Sequence, residues 1–217
     1  MSAPIRITTL LDLWDIFDSP QVPGDFRVPQ LPALAVDPVV GTLYCVYFDT
    51  SAVVGSDADV DLFLTRSDDD GSTWTAPVVI SADPDPPGDQ FFPWLEVDSG
   101  GRLHLLYLDS SGTVQPDSAA TAWLEAVYVW SDDGGASWTT HLLTGSPFDT
   151  GLTDLGNGQF IGDYNGLAVA GERSWPVYLS TELGAAGVYS HQIDFGGRIF
   201  ADDFEDGSLA AWSLSLP

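Results

Sequence analysis

The chain has 217 residues, 44% of them hydrophobic and 12% aromatic, enough to fill a folded core in one or two domains. Its net charge is −26, built from 27 Asp and 5 Glu against 6 Arg and no Lys. A surface of that sign repels nucleic-acid phosphates and anionic lipid, which excludes both as partners, and it suits a salty, calcium-rich or otherwise extracellular medium.

The first 24 residues read as a strand or linker. Asp12, Asp15 and Asp18 interrupt its apolar residues, so it lacks the apolar core of a signal peptide. No run of about 18 apolar residues follows, and no membrane-spanning helix is expected. Cys45, the one cysteine, sits in the apolar run TLYCVYF and reads as a buried thiol. From there the chain repeats itself. LPALAVDPVVGTLYCVYFDT (31–50) aligns with FPWLEVDSGGRLHLLYLDS (92–110) and, more loosely, with DYNGLAVAGERSWPVYLST (163–181). Each stretch reads as a short apolar strand, a tight turn carrying Gly or Asp, and a second strand of alternating large residues. A third strand is expected after each, at DVDLFLTRS, AWLEAVYVWS and GVYSHQIDF. In the first two units an Asp-Gly-Trp turn and a short fourth strand (APVVISA, TTHLLTG) then follow. Four antiparallel strands per unit of roughly 60 to 70 residues, with no helix signal, predict an all-β fold of β-propeller blades. About three blades fit, over 25–86, 87–159 and 160–197. Residues 198–217 are left as a tail or the start of a further domain.

The two turns match residue by residue. Ser67, Asp69, Gly71, Thr73 and Trp74 recur as Ser131, Asp133, Gly135, Ser137 and Trp138. The pattern Ser-x-Asp-x-Gly-x-Thr/Ser-Trp is the Asp box, and with the repeated strands the chain resembles the sialidase-like, or BNR-repeat, propeller family. The residue types suit a turn: the carboxylate accepts backbone N–H bonds, Gly permits positive φ, and the Trp ring packs on the blade. The resemblance implies that these boxes are structural staples on the outer rim. It also implies a ring of usually six blades, so three would need either further blades in a longer chain or a second copy as a homodimer.

Candidate ligand residues come from the loops leading into each first strand, which in a propeller face the central channel. PGDFRVPQ, PGDQFFPW and FIGDYNG each carry a Gly-Asp pair, at Asp25, Asp89 and Asp163. These form either a ring of carboxylates at the channel mouth or the same turn made three times. Phe26–Pro29 resembles the sialidase Phe-Arg-Ile-Pro motif, which implies that Arg27 holds a sugar carboxylate through a two-pronged hydrogen bond. At the later positions Gln90 and Tyr164 stand instead. Family sialidases use a tyrosine nucleophile assisted by a glutamate, with an aspartate as acid/base, and Tyr164 beside Asp163 offers two of these three. Glu96 and Glu125 lie in strand patterns and Glu172 in a turn, so no partner glutamate stands out. On an extended strand Asp163 and Tyr164 would face opposite ways unless a loop bends them. Asp57, Asp59 and Asp61 share one face if extended and could offer oxygens to calcium, or form a solvated loop. His104, His141 and His191 show no metal spacing and read as ordinary sheet residues. The expectation is a secreted, glycan-binding sialidase-like propeller. The alternatives are an active exo-sialidase or related glycoside hydrolase, and a non-catalytic structural or adhesive repeat module.

Overall fold

The computed structural model describes residues 3–10, 28, 30–54, 57–81, 88–110, 122–153 and 161–195, with the side chains of 51–54 and 57–59 outside that description. Asp25, Arg27 and the tail from 198 lie outside the described residues, as do the Asp57 and Asp59 side chains.

The described chain is all-β, in three antiparallel sheets. The first runs in chain order through β1 (Ala33–Val36), β2 (Leu43–Val54), β3 (Asp57–Ser67) and β4 (Val78–Val79). The second runs through β5 (Gln90–Val97), β6 (Leu103–Asp109), β7 (Trp123–Ser131) and β8 (Thr139–Leu142). Its fifth strand, β9 (Phe148–Asp149), pairs with the start of β7. The third holds β10 (Gly166–Ala170), β11 (Arg173–Ser180) and β12 (Gly187–Ser190), with β13 (Ile193–Asp194) also on β11. Each first-to-second strand hairpin falls where the apolar repeats predict it. The third strand expected in the third unit, over GVYSHQIDF, is split instead. Its two parts keep one register, Val177↔Ser190 and Ser174↔Ile193, and the gap falls opposite Pro176, which has no N–H to give.

Aspartates close the hairpins. The Asp37 carboxylate accepts the N–H groups of Val39 and Val40, and Asp98 accepts those of Gly100 and Arg102. Gly41 and Gly101 then turn the chain at φ of 81° and 87°. One continuous apolar core joins the sheets, with Phe48, Phe91, Tyr128 and Phe148 among its largest fully buried side chains. Each such ring removes roughly 1.5–3 kcal/mol worth of apolar surface from water. Strand β5 is the centre of this packing: it touches β1, β2 and β3 of the first sheet and β10 of the third. The first strands of all three sheets are therefore neighbours. The arrangement is consistent with part of a propeller, in which blades pack face to face around their first strands.

Candidate functional site

Where those first strands meet, a cleft of about 310 Å³ opens between residues 31–34 before and within β1, residues 92–96 of β5, and Asp163 and Tyr164 ahead of β10. Its shape depends on a break in β5. Phe91 pairs with Leu108 but Trp94 pairs with Leu106, so Phe92 and Pro93 together oppose Tyr107 alone. This is a β-bulge. Phe92 adopts φ of 55°, a left-handed conformation that costs a bulky residue energy. The extra residue changes the alternation beyond it. Phe91, Phe92 and Pro93 stay buried, whereas Trp94 is 37% exposed and lines the cleft together with Glu96. The indole Nε1–H of Trp94 donates to Glu96 Oε1 at 3.3 Å, holding ring and carboxylate side by side.

The opposite wall is a loop, not a strand. Gly162 has φ of 90° and β10 begins only at Gly166, so Asp163 and Tyr164 escape strand alternation and both line the cleft. Tyr164 is 69% exposed. Asn165, next along, is buried and donates from Nδ2 to the Phe92 carbonyl at 2.8 Å. That bond ties the bulge to the loop, and with it one wall of the cleft to the other.

Asp89 and Gln90, expected to contact ligand, are instead 0% and 1% exposed and do not line the cleft. Asp89 Oδ1 accepts the N–H of Val60 in the first sheet, while its own N–H donates to Ser110 Oγ. Gln90 Nε2 donates to Gly88 O and Asp109 Oδ1. The Asp89 carboxylate is thus spent on the seam between the first and second sheets, and the Gln90 amide on bonds within the second. Trp94 and Glu96 line the cleft, and Asn165 braces it from behind, although strand alternation marks none of the three. Pro93 inside an otherwise regular strand pattern was the available signal, since proline within a sheet marks a bulge or an edge.

The two Asp boxes lie at the β3–β4 and β7–β8 turns, and none of their residues lines the cleft. They are near copies. Asp69 accepts Ser67 Oγ–H at 2.8 Å, Thr73 N–H at 2.8 Å and Thr73 Oγ1–H at 2.7 Å. Asp133 accepts the Ser131 hydroxyl, the Ser137 N–H and the Ser137 hydroxyl at 2.7, 2.9 and 2.5 Å. These donors favour the ionised carboxylate. The Ser137 hydroxyl, then its N–H, then the Ser131 hydroxyl hold Asp133 down at about 2, and Thr73 lowers Asp69 in the same way. Gly71 and Gly135 both have positive φ, as do Asp70 and Gly134 just before them. The boxes differ in depth: a β-carbon on Gly135 would drive into Leu64 of the first sheet, whereas one on Gly71 would meet Leu43 at an ordinary 3.4 Å. Trp138 packs on the core and donates to Gly135 O at 3.2 Å.

His104 is more than an ordinary sheet residue. It is buried, with Nε2 3.2 Å from Asp98 Oδ2 and Nδ1 2.5 Å from Tyr128 Oη, which lies 2.7 Å from Ser174 Oγ in the third sheet. Burial lowers the His104 pKa, more than Asp98 raises it. Asp61 accepts a hydroxyl hydrogen bond from Ser81, and among the described residues no three His, Cys, Asp or Glu side chains gather as a metal site would require.

No protein-family model matches this sequence, and no curated protein matches it. Solved structures do. A Hadza microbial sialidase aligns with a TM-score of 0.50 at 19% identity, over 74% of this chain and 30% of that one. A protein of unknown function from Dyadobacter fermentans gives 0.47 at 17%, over 80% and 38%, and a xylan β-1,4-xylosidase from Bacillus halodurans gives 0.28 at 14%, over 83% and 43%. The chain thus spans less than half the length of each of these three. The likeness to the sialidase is distant, and at this identity it bears on the fold alone.

Proposed function

We propose that the chain forms three blades of a sialidase-like, Asp-box β-propeller that works outside the cell and binds glycans in the cleft between β1, β5 and the loop at 163–164. Further blades, from a longer chain or a second copy, complete the ring. The observation that carries the reading is the company kept at the cleft: an exposed indole and an exposed phenol beside two carboxylates. Flat aromatic faces take the C–H face of a sugar ring, and carboxylates accept its hydroxyl hydrogens. Concave sites with a few convergent polar groups are where small ligands bind. The test is retention on immobilised polysaccharides. Tyr164→Ala is expected to weaken retention at unchanged stability, whereas Asp69→Ala lowers stability and leaves the affinity of the folded protein intact. The reverse pattern would discard the cleft.

A second reading, glycoside hydrolysis, is favoured by one further observation: Glu96 lines the same cleft as Asp163 and Tyr164. The sequence alone does not single out this third partner. In that reading Tyr164 Oη attacks the anomeric carbon and gives its proton to Glu96, while the Asp163 carboxylic acid protonates the departing alcohol. Water then attacks the glycosyl-tyrosine, losing a proton to the Asp163 carboxylate as Glu96 returns one to the tyrosine oxygen. Cleavage of an aryl glycoside that survives Asp163→Asn undiminished would remove this assignment.

A further inference from the structure

The second and third sheets meet over a buried polar relay. Neutral His104, on β6, gives its Nε2–H to Asp98 Oδ2 at 3.2 Å and takes the Tyr128 hydroxyl hydrogen at Nδ1, 2.5 Å away. The Tyr128 oxygen then accepts from Ser174 Oγ at 2.7 Å, on β11 of the third sheet. His104 is 1% exposed, and Tyr128 and Ser174 not at all. Phe195 covers the relay: its ring meets the imidazole edge to face at 5.2 Å, and the Arg102 guanidinium lies 4.5 Å from its centre. The segment that delivers Phe195 is short. Strand β13 pairs as Ser174↔Ile193 and Arg173↔Asp194, and the Phe195 N–H donates to Glu172 O at 2.7 Å.

A second proton on His104 breaks this order. Its Nδ1–H would point at Tyr128, whose hydroxyl must turn towards Ser174, and the Ser174 hydrogen must leave Tyr128 for another acceptor. Tyr128 offers no counter-charge, because burial raises its pKa and the phenol keeps its proton. Burial opposes charge on Asp98 as well, but the N–H groups of Arg102 and Gly100, with His104, outweigh it and keep the carboxylate ionised. Of the other charged groups, Arg102 opposes an imidazolium and Asp132, its partner, favours one. Glu96 is the register partner of His104 on β5, and Glu172 lines a polar cavity with Asp98.

We infer that this seam is a proton-controlled latch: a proton taken up by His104 releases Phe195 and β11 from the second sheet. The cleft spans the same seam, with Trp94 and Glu96 on β5 and Asp163 and Tyr164 leading into β10, so the released latch parts its walls whatever the cleft binds. Burial holds the His104 pKa below 6.5 while the seam is closed, whereas the solvated ring of the open form titrates near 6.5. The open form therefore gains on the closed one as pH falls through that value, by at most about tenfold per pH unit for one proton.

The test is hydrogen–deuterium exchange of the full chain at pH 7.5, 6.5 and 5.5, read by mass spectrometry and corrected for the intrinsic rate at each pH. From pH 7.5 to 5.5 the opening constant for β10, β11 and residues 187–195 is expected to rise about three- to tenfold. It should change little in 1 M urea, because the opening is local. His104→Gln keeps a donor and an acceptor but does not titrate, and should hold the rise below about twofold. If that variant does not fold, Phe195→Ala decides: an uncovered His104 regains its ordinary pKa, so opening is already high at pH 7.5 and flat with pH. A wild-type rise under about threefold, a rise retained in the folded variant, or a urea dependence equal to that of Leu43–Thr50 in β2 overturns the inference.

Discussion

Asn165 offers the sharpest perturbation of the cleft because one hydrogen bond joins its two walls. In Asn165→Ala the Phe92 carbonyl, within a residue only 3% exposed, loses the Nδ2 donor that reaches it at 2.8 Å. An unsatisfied buried carbonyl costs about 1–3 kcal/mol. For a chain of this length each kcal/mol shifts Tm by about 2–4 °C, so a drop of about 2–12 °C is expected. Phe92 already sits at positive φ, so the bulge loses a restraint where it is least able to hold itself. Trp94 and Glu96 should then drift relative to Asp163 and Tyr164, and glycan affinity should fall along with stability. Asn165→Asp is the discriminating control: it keeps the size but sets a carboxylate against a carbonyl oxygen, and should be worse than alanine in both respects. Differential scanning fluorimetry and binding to an immobilised neutral polysaccharide read the two effects. A Tm within 1 °C of wild type for Asn165→Ala, or aspartate behaving better than alanine, would refute the role assigned to this bond.

Gly135→Ala should cost more than Gly71→Ala. Both substitutions carry the left-handed penalty of about 1–2 kcal/mol, but only the former meets Leu64, for a further ~1–3 kcal/mol. In a Leu64→Ala background the extra cost of Gly135→Ala should vanish, and equal costs in both backgrounds would disprove the contact. The Asp133 carboxyl is held at about 2, below its usual 3.8, so its contribution is present above about pH 4 and is lost as pH falls towards 2. Asp133→Asn should therefore lower Tm at pH 7, and a difference that persists undiminished at pH 2 would contradict this. His104 has a lowered pKa, so the unfolded chain takes up its proton more readily and stability falls as pH drops through about 6.5. Urea titrations of wild type and His104→Gln between pH 7.5 and 5.5 should show a shallower pH dependence in the variant. Parallel curves would exclude His104 as the source.

Local signals carried most of the strand plan. The alternation in LHLLYLD and the Asp and Gly residues at 37, 41, 98 and 101 act within a few residues of themselves, so hairpins were readable. The cleft was only half legible. Asp163 and Tyr164 stand out in the sequence by their place before a first strand, but their shared place on the cleft comes from Gly162 and the delayed start of β10. Trp94 and Glu96 reach the cleft through a bulge whose only local trace is Pro93. Asp89 looked equivalent to Asp163 because both follow glycine. Its fate is decided by the Val60 N–H, 29 residues away in another sheet, and no periodicity encodes such a contact. The same holds for His104, whose partners Tyr128 and Ser174 arrive from β7 and β11.

The central claim, that the aromatic-lined cleft binds carbohydrate, is tested most directly by calorimetric titration of wild type and Trp94→Ala with one neutral oligosaccharide retained by the full chain. Trp94 is partly exposed and outside the core, so the variant should keep its fold, which its Tm verifies. Loss of the stacking face should weaken binding by about tenfold, or ~1.4 kcal/mol. An affinity equal to wild type in a folded Trp94→Ala protein would mean that the sugar sits elsewhere and the cleft is not the site.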